Sequence, residues 1–108
     1  MAIALVMEFP GGTQEQYEKV MDILGFKGPE TWPRGSILHV AGPTAGGWKV
    51  VDVWESRKDF DRFVAEKLAG ATQEAGLPRP VPEEFPVHYI MQVRNISGVR
   101  RGTRRKAA

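Results

Sequence analysis

The chain opens on AIALVMEF, an almost wholly apolar run at residues 2–9 that Pro10-Gly11-Gly12 halts at once. So short a run, closed by turn residues, predicts a buried strand rather than a helix. The period then changes. Tyr17, Val20, Met21 and Leu24 recur at helical spacing, with Thr13 and Gln16 standing before them as a capping box and Gly25 behind them as a stop. This predicts an amphipathic helix. Periodicity lapses over 26–35, which is rich in Gly and Pro, so Trp32 is expected on a loop.

Strand signals return in SILHVA, break at GPTAGG and resume in WKVVDVWE, predicting a hairpin with a loop of roughly four to six residues. Alternation puts Trp48, Val50, Asp52 and Trp54 on one face and Lys49, Val51, Val53 and Glu55 on the other. With Ala41 opposite Trp48, His39 faces Val50 and Ile37 faces Asp52, on the side of the tryptophans. Leu38, Val40, Val51 and Val53 make the second face uniformly aliphatic, as a helix-covered face should be. The mixed face of His39, Trp48, Asp52 and Trp54 is therefore expected to be bare within its own chain and to meet a second copy or a ligand.

Ser56 and Asp59 form a second capping pair, and Phe60, Phe63, Val64 and Leu68 extend an apolar stripe. This helix is expected to end near Leu68 or Gly70, with room for a further turn through Ala75 before Gly76. LPRPVPEEFP then places four prolines in ten residues, which predicts an extended arm. VHYIMQV, at 87–93, becomes the last strand, with His88 and Tyr89 on opposite faces. Strand, helix, strand, strand, helix, strand, joined by right-handed crossovers, is a split βαβ. The expected fold is an α+β, ferredoxin-like βαββαβ sandwich, a four-stranded antiparallel sheet with two helices on one face. The domain is expected at 1–93, followed by a C-terminal tail at 94–108.

Composition narrows the chemistry. A chain of 108 residues is the size of one domain. It has no cysteine, which excludes disulfides, thiolate metal sites and cysteine nucleophiles, and its two histidines, His39 and His88, do not suggest a metal centre. The opening segment lacks a basic leader and is too short to span a membrane, so a cytoplasmic protein without a membrane partner is expected. Six of the fifteen basic residues lie after position 93, leaving a body with nine basic and thirteen acidic groups, a net of −4. A basic tail on an acidic body raises nucleic acid as a partner, but this one has no aromatic residue for base stacking and reads as a solubilising terminus.

The pattern ILHVAGPTAGGWKVVDVWESRKDFDRF, with the preceding strand, PGG turn and capped helix, resembles the dimeric α+β barrel superfamily. Within it, the chain is most similar to small bacterial proteins grouped near the antibiotic biosynthesis monooxygenases. The resemblance covers most of 2–93 and rests chiefly on the WxVxDxWES hairpin running into the second helix. It implies a homodimer through the bare sheet face, two sheets enclosing a small barrel, and a pocket in the barrel or between sheet and helices. For enzymatic members it implies oxidation of a planar aromatic or polyketide-like substrate by oxygen with no cofactor. The only asparagine is Asn95, so the asparagine used by the monooxygenase and haem-degrading branches has no counterpart in the hairpin.

That leaves His39 as the candidate base and Asp52 as the group that orients it, since an imidazole titrates close to neutral pH. Trp48 and Trp54 are candidate stacking walls, Trp32 a candidate lid, and His88 a further candidate on the last strand. The bland alternative is that His39 and Asp52 satisfy each other and the tryptophans fill an interface. Two functions follow: a cofactor-independent monooxygenase acting on a small planar ligand, or a non-enzymatic dimeric binding or stress-associated protein.

Overall fold

The computed structural model describes residues 1–95; the greater part of the basic tail lies outside the described residues. Strand β1 (Ile3–Pro10) is followed by helix α1 (Gln14–Leu24), the hairpin of β2 (Ser36–Thr44) and β3 (Gly47–Trp54), a second long helix, and β4 (Val81–Pro86). All pairings are antiparallel and the sheet order is β2-β3-β1-β4. This is the expected ferredoxin-like arrangement. The sheet ends at β2 on one side and β4 on the other, so it is open. The expected closure into an α+β barrel is corrected accordingly.

The helices start and stop where their caps stand. Thr13 accepts the Gln16 amide, the Gln16 side chain returns to the Thr13 amide, and Gly25 ends α1 at φ 74°, a left-handed conformation that suits glycine. The second helix begins at Ser56, whose hydroxyl accepts the Asp59 amide and donates to the Asp59 carboxylate. It is α-helical at Arg57–Phe63 (α2), widens to a π-helical turn at Val64–Leu68, and returns to α geometry at Ala69–Ala75 (α3) before Gly76. Among the described residues, no helix is long and apolar enough to cross a membrane.

Three expectations about the sheet are revised. The first concerns its faces. Ile3, Leu5, Met7 and Phe9 of β1 pair with Trp54, Asp52, Val50 and Trp48 of β3, and these side chains form the core under both helices. The face expected to be bare is thus the covered one, and the expected homodimer interface through it is already filled by Tyr17, Val20, Phe60, Phe63 and Leu68 of the same chain. The aliphatic face is the open one, with Leu38, Val40 and Phe85 exposed. Area explains the inversion. Two tryptophans and a phenylalanine remove more apolar surface from water than four small aliphatic residues, and one carboxylate is tolerated among them because it is hydrogen-bonded.

The second revision concerns register. Thr44 pairs with Gly47, so the hairpin loop is only Ala45-Gly46, and β2 from Leu38 to Thr44 slides two residues relative to the expected pairing. His39 stands opposite Asp52 and Ala41 opposite Val50, while Ile37 lies in the irregularity between Ser36 and Leu38. A shift of two keeps Leu38 to Thr44 on their expected faces, whereas Ile37, expected beside the tryptophans, falls in the irregularity and is exposed. Gly47 lets the start of β3 approach the end of β1 closely: a Cβ there would lie 2.2 Å from the Phe9 carbonyl oxygen and 2.8 Å from the Gly11 nitrogen.

The third revision moves the last strand. The proline-rich 81–86 forms β4, whereas 87–93 has no regular structure. β4 lies at the sheet edge, and the Val87 amide donates to the Ala2 carbonyl, so odd-numbered amides in this segment point toward β1. Pro82 and Pro86 fall on the other parity, where an N–H would point to solvent and its loss costs no ladder bond. The prolines are in phase with the strand.

Candidate functional site

The two-residue slip of β2 assembles the site. His39 Nδ1 lies 2.7 Å from Asp52 Oδ1, and Asp52 Oδ2 accepts the Trp54 indole N–H at 3.2 Å. On the other side of the imidazole, Nε2 lies 2.5 Å from the Tyr17 hydroxyl, contributed by α1. Strands β2 and β3 and helix α1 therefore hold one row of polar groups, Tyr17, His39, Asp52 and Trp54. Asp52 is 6% exposed and Trp54 1%, so the carboxylate end of the row is sealed from water. A buried carboxylate that accepts two N–H groups is compensated rather than stranded.

Around the row lies a pocket between sheet and helices with a volume of about 450 Å³, its open mouth included. Met7, Phe9, Val50 and Trp54 line it from the sheet, Val20 and Met21 from α1, and Phe63, Leu68, Thr72 and Leu77 from the second helix and beyond. Leu68 ends the π-helical turn, and Thr72 follows one turn later with its hydroxyl turned back onto the Leu68 and Ala69 carbonyls. The wall is therefore apolar even at a threonine. Phe26 and Trp32 close the pocket from the loop after α1, with ring centroids 4.7 Å apart. Trp32 sits 4.5 Å from the His39 ring, and Trp54 is braced by Phe60 edge-on and Phe63 nearly face-on, each at 5.5 Å.

The expected site residues fare unequally. His39, Asp52, Trp54 and Trp32 converge on the pocket. Trp48 is buried but packs behind Tyr17 at 5.0 Å, and its indole N–H has no hydrogen-bond partner among the described residues. His88 is exposed on the segment after β4 and is not part of the pocket. Tyr17, which helical periodicity marks only as core, is the functional candidate that the sequence reading passed over. Its spacing signals a buried ring but says nothing about where the hydroxyl points. Among the described residues, no group of three histidine, cysteine or carboxylate side chains could hold a metal ion.

Neither a protein-family model nor a curated protein matches this chain. Solved structures do. A candidate antibiotic biosynthesis monooxygenase from Chloroflexus aurantiacus J-10-fl aligns over 86% of this chain and 99% of its own, with TM-score 0.61 and 13% identity. SnoaB, a cofactor-independent oxygenase from Streptomyces nogalater, aligns over 83% of this chain and 96% of its own, with TM-score 0.60 and 14% identity. A candidate antibiotic biosynthesis monooxygenase from Deinococcus radiodurans covers 88% of this chain and all of its own, with TM-score 0.56 and 9% identity. At these identities the likeness is one of fold.

Proposed function

We propose that this chain, which shares its fold with SnoaB and the two other proteins, binds an uncharged planar aromatic or polyketide-like molecule and oxidises it with molecular oxygen, without a cofactor. The observation that carries the reading is the His39–Asp52 pair, set in the wall of an otherwise apolar, aromatic-lined pocket. Asp52 can only accept, so it fixes the neutral imidazole as the tautomer with hydrogen on Nδ1, which makes Nε2 the basic nitrogen. Phe26, Trp32, Phe63 and Trp54 offer flat surfaces for a ring system. No lysine or arginine is among the described residues that line the pocket, and its one carboxylate is Asp52. A carboxylated ligand would enter without a counter-charge, which favours neutral phenols, quinols and anthrone-type ketones.

For an anthrone-type substrate, the base removes one proton from the reactive CH₂, and the carbon's electron pair passes to oxygen to form a C–O bond. The returned proton completes a hydroperoxide. Loss of the second C–H proton with cleavage of the O–O bond leaves a carbonyl and one water, so that CH₂ and O₂ become C=O and H₂O. Asp52 steadies the imidazolium during the first step.

A binding role without catalysis is favoured by one fact: Asp52 is fully satisfied within the chain, as a structural carboxylate would be. Oxygen uptake with a panel of anthrones and quinols separates the two. A loss of roughly 10²–10⁴-fold in His39→Ala is expected from removing a general base. Equal uptake by wild type and variant removes the catalytic reading. Saturable binding of panel members with no turnover would leave the protein a binding module.

A further inference from the structure

We propose that Tyr17 is a catalytic residue of this site, and that a proton leaving the substrate reaches His39 through the Tyr17 oxygen. The inference rests on the reading of the pocket given above and adds to it the atom that meets the substrate. Both imidazole nitrogens are engaged: Nδ1 with Asp52 at 2.7 Å and Nε2 with the Tyr17 hydroxyl at 2.5 Å. The rings of Tyr17 and His39 are inclined by only 8° with centroids 5.9 Å apart. Together with the short O···N contact, near-parallel rings at this separation put the Tyr17 hydroxyl at the Nε2 end of the imidazole.

Polarity runs one way along the row. The Asp52 carboxylate accepts, so in the neutral imidazole Nδ1 donates and Nε2 accepts, and the Tyr17 O–H is the donor to Nε2. One face of the imidazole is covered by Trp32 at 4.5 Å, and the Tyr17 ring is held in place by Trp48 at 5.0 Å. Direct approach to Nε2 would require displacing a hydroxyl fixed from both ends. Tyr17 itself lines the pocket. A substrate hydroxyl or acidic C–H can therefore deliver its proton to the Tyr17 oxygen while the Tyr17 hydrogen passes to Nε2. The O–H bond of tyrosine is broken and remade, the substrate becomes an anion, and His39 becomes the imidazolium beside Asp52. The net charge of the site is unchanged at −1, because the imidazolium forms together with the substrate anion.

The test uses the full chain and a planar uncharged probe, 2-hydroxyanthraquinone, whose visible band changes when its hydroxyl ionises. The pH is set so that the free dye is mostly protonated. Wild-type protein is expected to shift the bound dye to its ionised band. Tyr17→Phe, which keeps the ring, and His39→Gln are each expected to bind the dye within a few-fold of wild type and leave it protonated. On any anthrone the wild type turns over, Tyr17→Phe should lower kcat by about 10²-fold with KM little changed. Ionised dye bound to Tyr17→Phe as in wild type, while His39→Gln leaves it protonated, would overturn the role of Tyr17 and leave the pocket reading standing. Dye that binds none of the three proteins would overturn both. Near-ultraviolet circular dichroism of each variant establishes that the fold is kept.

Discussion

Replacing Asp52 by alanine removes the acceptor that two donors share. The carboxylate takes a hydrogen bond from His39 at 2.7 Å and one from the Trp54 indole at 3.2 Å, and the Trp54 end is buried. A hydrogen bond to a charged group contributes about 1.5–3 kcal/mol, and a buried donor left without a partner costs about 1–3 kcal/mol. The His39 side chain keeps 16% of its surface in contact with solvent, so water can rescue its Nδ1–H in part. Counting the lower half of each range gives a loss of about 2.5–4 kcal/mol. For a domain of this size that corresponds to a fall in Tm on the order of 10–20 °C. Asp52→Asn should fall between wild type and alanine, because one amide oxygen can still accept one of the two donors. Thermal and urea unfolding followed by circular dichroism measure both. Two variants of equal stability, or an alanine variant within about 0.5 kcal/mol of wild type, the range of an ordinary surface change, would refute the assignment of a buried, doubly bonded carboxylate.

Gly47→Ala forces a Cβ to 2.2 Å from the Phe9 carbonyl, whereas Gly42→Ala meets open space; urea unfolding should show a loss of at least about 2 kcal/mol for the first and within about 0.5 kcal/mol for the second. Trp54→Ala empties the space between Phe60 and Phe63 and should cost about 3–5 kcal/mol in the same assay. Hydrogen exchange should find the Val87 amide, bonded to Ala2, protected against exchange and the amides of 88–93 unprotected, which places the last strand by experiment. Arg57 joins Asp61 and Glu84, and these carboxylates raise its pKa above the ordinary guanidinium value. A cation with a raised pKa keeps its full contribution below the ordinary value and loses it only as pH climbs through the raised one. The stability difference between wild type and Arg57→Gln should therefore be flat from about pH 7 to 10, and, with the side chain half exposed and screened, about 0–1 kcal/mol.

Both helices are readable from the chain because their information is local. Thr13 with Gln16, Ser56 with Asp59, and Gly25 and Gly76 act on amides and carbonyls within one turn, so each helix boundary is decided by neighbours in sequence. The last strand was misplaced for a related reason. Composition marks 77–86 as irregular, yet only position at a sheet edge decides whether Pro82 and Pro86 remove a ladder bond, and that edge is made against β1, about eighty residues away.

The pocket shows the same division more sharply. Alternation alone determined that Trp48, Val50, Asp52 and Trp54 share a face, because period two is a property of any extended backbone; that His39 joins them needed the parity of the hairpin register as well, since a slip of one residue would turn it to the other face. Tertiary structure decided which way that face turns. Burial compares total apolar area and polar satisfaction across the sheet and both helices, and the comparison comes out for the tryptophans only once His39 and the Trp54 indole compensate Asp52. Tertiary structure also decided that His39 meets Asp52 rather than Val50, through a loop two residues long, and that the Tyr17 hydroxyl ends on Nε2. Periodicity can place a ring on a buried stripe; the packing of α1 across β2 alone gives its oxygen a partner.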